Sequence, residues 1–235
     1  MMRSTLLRAS AAASACAALA GVVGCASADE QAGSFPSAVS AAPGNGTVVR
    51  DPAQLAAGLL AAEDLPGDFS VIPPRTPAGD TAAVPPAAPT DPPDCGRLLT
   101  PIAEQRPGSA AAASVQFAGP SYATIDIDAA SYPDAALAAA FDALQAQPRR
   151  CAAYTGDDAG VHIDYRAAGL DQPPAGDASS AFTLTAASEG LTLTSATALV
   201  QVGNTLVQVV VTAPETVDPG VLADLTAAQV RKLRG

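Results

Sequence analysis

The stretch "AFTLTAASEGLTLTSATALVQVGNTLVQVVVTA", residues 181–213, most constrains the fold. Its β-branched and apolar residues run in three segments, with Glu189-Gly190 and Gly203-Asn204 as tight two-residue breaks. Turns that short join only neighbouring antiparallel strands, because a parallel pair needs a crossover of a dozen or more residues. An antiparallel sheet is therefore expected at the C-terminal half.

The rest of the chain extends that sheet and adds helices. In "VHIDYRAA", Val161, Ile163 and Tyr165 are expected to point inward, and His162, Asp164 and Arg166 outward. Asp157-Asp158 is placed in a turn before it. "AAASVQFAGPSYATIDIDAA" reads as a strand pair broken at Gly119-Pro120. Tyr122, Thr124, Asp126 and Asp128 share one face there, and Ala123, Ile125 and Ile127 the other. Three helices are expected. Asp51-Pro52 opens a short one to about Ala62. Ser131 caps a central one that carries Leu137, Phe141 and Leu144 as a stripe and ends at Pro148. Asp218-Pro219 opens a C-terminal one with Arg231, Lys232 and Arg234 in its last turn. The proline-dense run from Pro73 to Pro93 holds no regular element. The fold class is α+β: an antiparallel sheet with the central and C-terminal helices packed on one face, plus the short N-terminal helix.

The compartment follows from the first residues. Arg3 and Arg8 precede an uncharged run from Ala11 to Val23, too short to span a bilayer comfortably. Val22-Val23-Gly24-Cys25 has the form of a bacterial lipobox. Residues 1–24 are read as a lipoprotein signal peptide, with Cys25 lipidated and first in the mature chain. Cys16 is the weaker candidate for that role. Residues 25–47 are small, polar and without a hydrophobic period, and read as a flexible tether; residues 48–235 form the domain. The protein is expected on the outer face of the cell membrane, held there by lipid.

Charge supports lipid over electrostatics as the anchor. The chain has 12 Lys plus Arg against 23 Asp plus Glu. Loss of Arg3 and Arg8 on processing leaves 10 against 23, a net of −13. Such a body is repelled by nucleic acid and by anionic lipid alike, so a nucleic-acid partner is not expected. With Cys16 removed and Cys25 modified, Cys95 and Cys151 remain. Outside the cytoplasm such a pair is expected to form a disulfide.

No residue set points to catalysis, a metal or a cofactor. His162 is the only histidine and stands beside Asp164 on the polar side of its strand. It is read as a solvated strand residue; a Ser-His-Asp hydrolase is the alternative, without a GxSxG elbow. Asp126, Asp128 and Asp134 are close in sequence, and could form a weak cation site; a charged solvent face is the preferred reading. The Ala/Thr faces of the last three strands either line a cleft or pack on helices, and packing is preferred.

The stretches "LAAGLLAAEDLPGDFSV", "PPDCGRLLTP", "SVQFAGPSYATIDIDAASYPDAALAAAFDALQAQPRRC" and "ALVQVGNTLVQVVVTAPETVDPGVLADLTAAQVRKL" resemble, in this order, the actinobacterial PknH-like extracellular (sensor) domain family. The resemblance implies an antiparallel sheet with helices, disulfide bonding and a cleft for a ligand not yet identified. Gln147-Pro148-Arg149-Arg150 stands where the family often has a Trp before the cysteine, and one disulfide replaces the usual two. The expected function is a lipid-anchored, non-enzymatic sensor-like domain that binds a small-molecule or envelope ligand. A carrier of an apolar envelope lipid is the alternative.

Overall fold

The computed structural model describes residues 34–65, 68–73 and 88–235. The signal peptide, Cys16, Cys25 and most of the proline-rich loop lie outside them; the described end of that loop does hold a regular element, a two-residue strand at Thr90–Asp91 paired with Gly156 and Thr155. Among the described residues one nine-stranded antiparallel sheet organises the chain. In chain order its strands are β1 (Ser70–Val71), β2 (Thr90–Asp91), β3 (Ala111–Ala118), β4 (Thr124–Ser131), β5 (Ala153–Asp158), β6 (Val161–Gly169), β7 (Ala178–Ser188), β8 (Leu191–Val202) and β9 (Thr205–Pro214). Across the sheet they run β1-β3-β4-β9-β8-β7-β6-β5-β2. The two turns read from the sequence join β7 to β8 and β8 to β9, with Gly190 and Gly203 both at positive φ. Asp157-Asp158 belongs to β5 rather than to a turn; it pairs with His162 and Val161 across the hairpin.

Among the described residues four α-helices flank the sheet: α1 (Pro52–Ala57), α2 (Ile102–Gln105), α3 (Asp134–Arg150) and α4 (Pro219–Arg234). Asp51 caps α1 by accepting the Ala53 N–H at 2.9 Å, and Asp218 caps α4 by accepting that of Gly220 at 2.8 Å. α1 stops at Gly58, short of the expected Ala62, although Leu55, Leu59 and Leu60 are all buried as their spacing implies. α3 starts after Pro133, not at a Ser131 cap: Ser131 is the last, fully buried residue of β4. α3 also runs two residues past Pro148, with the Cys151 N–H closing on the Gln147 carbonyl. Proline there removes one ladder bond, and the tertiary contacts of Leu137, Phe141 and Leu144 hold the helix through it.

The main correction concerns the layers. The central and C-terminal helices lie on opposite faces of the sheet, not on one. Ala196, Ala198 and Val200 of β8 and Val207, Val209 and Val211 of β9 pack with Leu222, Leu225 and Val230 of α4 and the leucines around α1. Leu199 and Leu206, pointing the other way, pack with Leu137, Phe141 and Leu144 of α3 and Ile102 of α2. Central strands apolar on both sides need cover on both sides.

A third cluster, next to α3, surrounds a Cys95–Cys151 disulfide that closes 56 residues of sequence separation. Cys95, Cys151, Tyr154, Phe182 and Leu184 are buried together there.

Residues 34–47, read as part of a flexible tether, are docked on the domain. The Ala42 N–H donates to Gln201 Oε1 at 2.9 Å, and Gln201 Nε2 donates back to the Ala42 carbonyl at 2.9 Å. Gln145 of α3 holds Val39 in the same way, and Asn204 Oδ1 accepts the Gly46 N–H at 3.1 Å. The strap needs no apolar period because polar side chains of the domain hold its backbone.

Candidate functional site

The strap, one loop and α4 frame a cleft of about 300 Å³. One wall is Pro36, Ser37 and Val39 of the strap; the second is the β6–β7 loop from Leu170 to Ala175; the third is Ala223, Thr226 and Ala227 of α4. Ala181 of β7 with Ala198 and Val200 of β8 form the floor. Small residues at so many lining positions leave the space open.

Two glycines position the walls. A Cβ on Gly169 would stand 2.4 Å from Pro36 Cδ and 2.7 Å from Phe35 Cα, so the strap crosses β6 where no side chain intervenes. Gly176 has φ +63°, and a Cβ there would meet the Gln201 carbonyl oxygen at 2.2 Å. Pro173-Pro174 stiffens the loop between them, and Gln172 Nε2 ties it to the start of α4 through the Pro219 carbonyl at 3.1 Å. On the strap side the Arg149 guanidinium lies 5.2 Å from the centre of the Phe35 ring and donates through Nη2 to the Pro36 carbonyl.

Two residues of this lining carry a buried polar atom without a partner. Thr226 is 5% exposed, and its Oγ1 is buried without a hydrogen bond. The Arg149 Nε–H is likewise buried and unpaired. An unpartnered buried donor is costly in an empty site and is satisfied when a ligand supplies an acceptor. Asp171 and Asp224 are exposed residues of the same lining. A wider groove of about 480 Å³ lies beyond the other end of the strap, between Asn45-Gly46 and the end of α4. Its cations are already paired, Lys232 with Asp64 and Arg234 with Asp177.

The carboxylates singled out in the sequence are not brought together. Asp126 accepts hydrogen bonds from Gln116 Nε2 at 2.6 Å and Thr124 Oγ1 at 3.1 Å, and burial pushes its pKa up. Asp134 accepts from Asn204 Nδ2 at 2.6 Å, on the other side of the β8–β9 turn. Asp128 departs from the solvent-face reading altogether. β4 is an inner strand, so Asp128 is buried under α2, where it accepts the Ile102 N–H at 2.6 Å and Gln208 Nε2 at 3.4 Å. Burial, with the charges of Asp126 and Glu104 added, pushes its carboxyl up to about 7 against the pull of the Ile102 hydrogen bond. The alternation of Asp126 and Asp128 with Ile125 and Ile127 is legible in the sequence; the cover on both faces of β4 is not.

His162 is on an exposed hairpin with its Nε2 3.6 Å from Asp164 Oδ1. The serine hydroxyl beside it, Ser188 Oγ, donates to the His162 backbone carbonyl rather than to its ring. Ser188 is therefore not activated by the imidazole. Among the described residues, no three His, Cys, Asp or Glu side chains group as metal ligands.

Among solved structures the chain is similar to the extracellular domain of PknH from Mycobacterium tuberculosis, with a TM-score of 0.55 over 78% of this chain and 96% of that one, at 16% identity. The chain has the PknH extracellular-domain fold. It also overlaps an uncharacterised protein of Mycobacterium smegmatis, an Rv0999 ortholog, with a TM-score of 0.42 at 16% identity over 78% of this chain and 95% of that one. No family model and no curated protein matches the chain by sequence. The PknH-like fold is thus carried by its pattern of strands and covered faces rather than by residue identity. Among the described residues no helix of it is long and apolar enough to cross a membrane.

Proposed function

We propose that this is an extracytoplasmic lipoprotein, anchored through Cys25, whose PknH-like domain binds a compact ligand in the cleft between the strap and α4 and does not catalyse a reaction. The observation that carries the ligand site is the Thr226 hydroxyl, buried without a partner in the lining of an otherwise small-residue, largely apolar cleft. Small-molecule sites combine such apolar walls with a few convergent polar groups. A volume of about 300 Å³ stands at the low end of their range, which favours a compact ligand over a two-chain lipid. The extracytoplasmic placement is supported by the likeness to an extracellular domain, the disulfide and the lipobox.

The test is a thermal-shift search of the mature chain against polar–apolar metabolites, repeated on Ala223→Leu, which fills the cleft. A compound that raises the wild-type melting temperature and leaves Ala223→Leu unmoved supports the site. A stabilising compound that acts equally on both places the ligand elsewhere.

A further inference from the structure

Tyr154 and Tyr165 stack with ring centroids 4.5 Å apart at the end of the disulfide cluster. Their face continues along the sheet: Tyr165 lies opposite Ala186, and Ala186 opposite Leu193. Directly opposed residues of an antiparallel ladder share a face, and alternation adds Ile163 and Leu191 to it. The band of Tyr165, Ile163, Leu193 and Leu191 therefore extends an inner apolar layer towards the free ends of the β5–β6 and β7–β8 hairpins.

Those ends project past α3, the helix that covers this face. Thr124, at the start of β4, is level with Thr212 and Ser195, so residues 191–194 of β8 reach beyond that level. α3 packs further up, on Leu199 and Leu206. Leu193 is 43% exposed and Leu191 78%. A single exposed leucine is ordinary, but consecutive same-face residues that continue a buried cluster form a patch.

The carboxylates at this end gather round the patch. Asp158, opposite Val161, shares its face on the first hairpin, whereas Asp157 and Asp164 alternate with His162 to the other face; Glu189 stands on the second hairpin, and Glu215 lies next to Thr192, its N–H bonded to the Thr192 carbonyl at 3.1 Å. Glu189 and Glu215 both have positive φ, 48° and 62°, where glycine would be relaxed, so these acids are placed at a conformational cost. The basic last turn of α4 is far off: Arg234 pairs with Asp177, next to the start of β7, whereas the patch lies at the end of that strand. Arg166 is on β6 but alternates to the face opposite Tyr165.

We propose that this hairpin end, Ile163, Leu191 and Leu193 framed by Asp158, Glu189 and Glu215, docks a cationic protein partner that presents aliphatic side chains between lysines or arginines. The apolar band supplies the contact that excludes water, and the acidic frame steers and orients the partner. The site is separate from the strap–α4 cleft and does not depend on its ligand.

The experiment titrates the full chain with fluorescent peptides of alternating Leu-Lys, Leu-Gln and Leu-Glu. The Leu-Lys peptide is expected to bind, and the other two to bind at least tenfold more weakly. Leu191→Ser with Leu193→Ser should raise its Kd at least tenfold. Glu189→Gln with Glu215→Gln should raise it severalfold and flatten its salt dependence. Asp94→Asn with Glu104→Gln, which removes the same charge from exposed sites elsewhere, should leave it within twofold. All of these positions are on the surface, and an unchanged unfolding midpoint verifies the fold of each variant. Equal weakening by the Asp94/Glu104 control, meaning attraction by net charge alone, overturns the proposal. So does absence of Leu-Lys binding, or self-association of the wild type that the Leu191/Leu193 variant abolishes, which would make a second copy the occupant.

Discussion

Gln145 holds Val39 by both of its backbone polar groups: Oε1 accepts the Val39 N–H at 3.0 Å, and Nε2 donates to the Val39 carbonyl at 2.6 Å. Gln201 repeats the arrangement on Ala42. Each side-chain amide thus stands in for one residue of a neighbouring strand. The strap is attached by polar clamps at intervals, with little apolar burial to support it.

Removing the clamps should free the strap while leaving the sheet intact. Gln145→Leu with Gln201→Leu leaves four strap backbone groups and the Gly203 carbonyl without these partners, at about 1 kcal/mol each before water repairs them. Hydrogen exchange is expected to accelerate at residues 39–46 far more than in β8 and β9. Uniform acceleration across the sheet would show instead that the strap is integral to the core.

Asp128 should make stability fall as pH rises. Its folded pKa, raised to about 7 from an ordinary 3.8, means that the folded chain keeps a proton that the unfolded chain has lost between those values. Stability from this group is therefore full below pH 4 and is lost progressively up to about pH 7. The loss has a ceiling of about 4 kcal/mol, at about 1.4 kcal/mol per pH unit. Asp128→Asn keeps an acceptor for the Ile102 N–H and removes the charge. Urea unfolding should find the variant more stable at pH 8 and near wild type at pH 4; equal differences at both pH values would refute the assignment.

Thr226→Val is expected to stabilise the ligand-free protein by about 0.5–1 kcal/mol, since it replaces a buried hydroxyl without a partner by a methyl of similar shape. The same change should weaken any ligand that uses the cleft. Urea midpoints read the first effect, and a loss of stability on substitution would mean that the hydroxyl is already satisfied.

Opening the Cys95–Cys151 bridge releases a loop of 56 residues' separation, worth about 4 kcal/mol on the chain-entropy account. Cys95→Ala with Cys151→Ala should lower the denaturation midpoint accordingly. Thiol labelling of the native, oxidised domain should find neither sulfur.

The hairpin turns, the two capped helices and the pairing of the cysteines were legible because each rests on local chemistry: Gly at positive φ, Asp before Pro, two sulfurs left over. The placement of α3 opposite α4 was not, since alternation tells which residues share a face and not which helix covers it. β8 and β9 did carry a signal in their near-continuous apolar runs, Leu199-Val200 and Leu206-Val207. The burial of Asp128 is hidden for the same reason: a carboxylate on an alternating strand suggests solvent only if that face is open. The cleft was not legible because strand alanines such as Ala181 and Ala198 fit close packing against a helix as well as they fit an open space. The strap left no trace, because its partners are glutamines and an asparagine more than a hundred residues away.

The clamped strap also shortens the leash. Under the proposed lipidation of Cys25, a chain free as far as Thr47 could wander about 75 Å from its lipid, but one held from Pro36 onward has only eleven peptide links to pay out, about 37 Å at full stretch. With lipid on Cys25, the cleft walled by Pro36 and Val39 would stay within that reach of the leaflet.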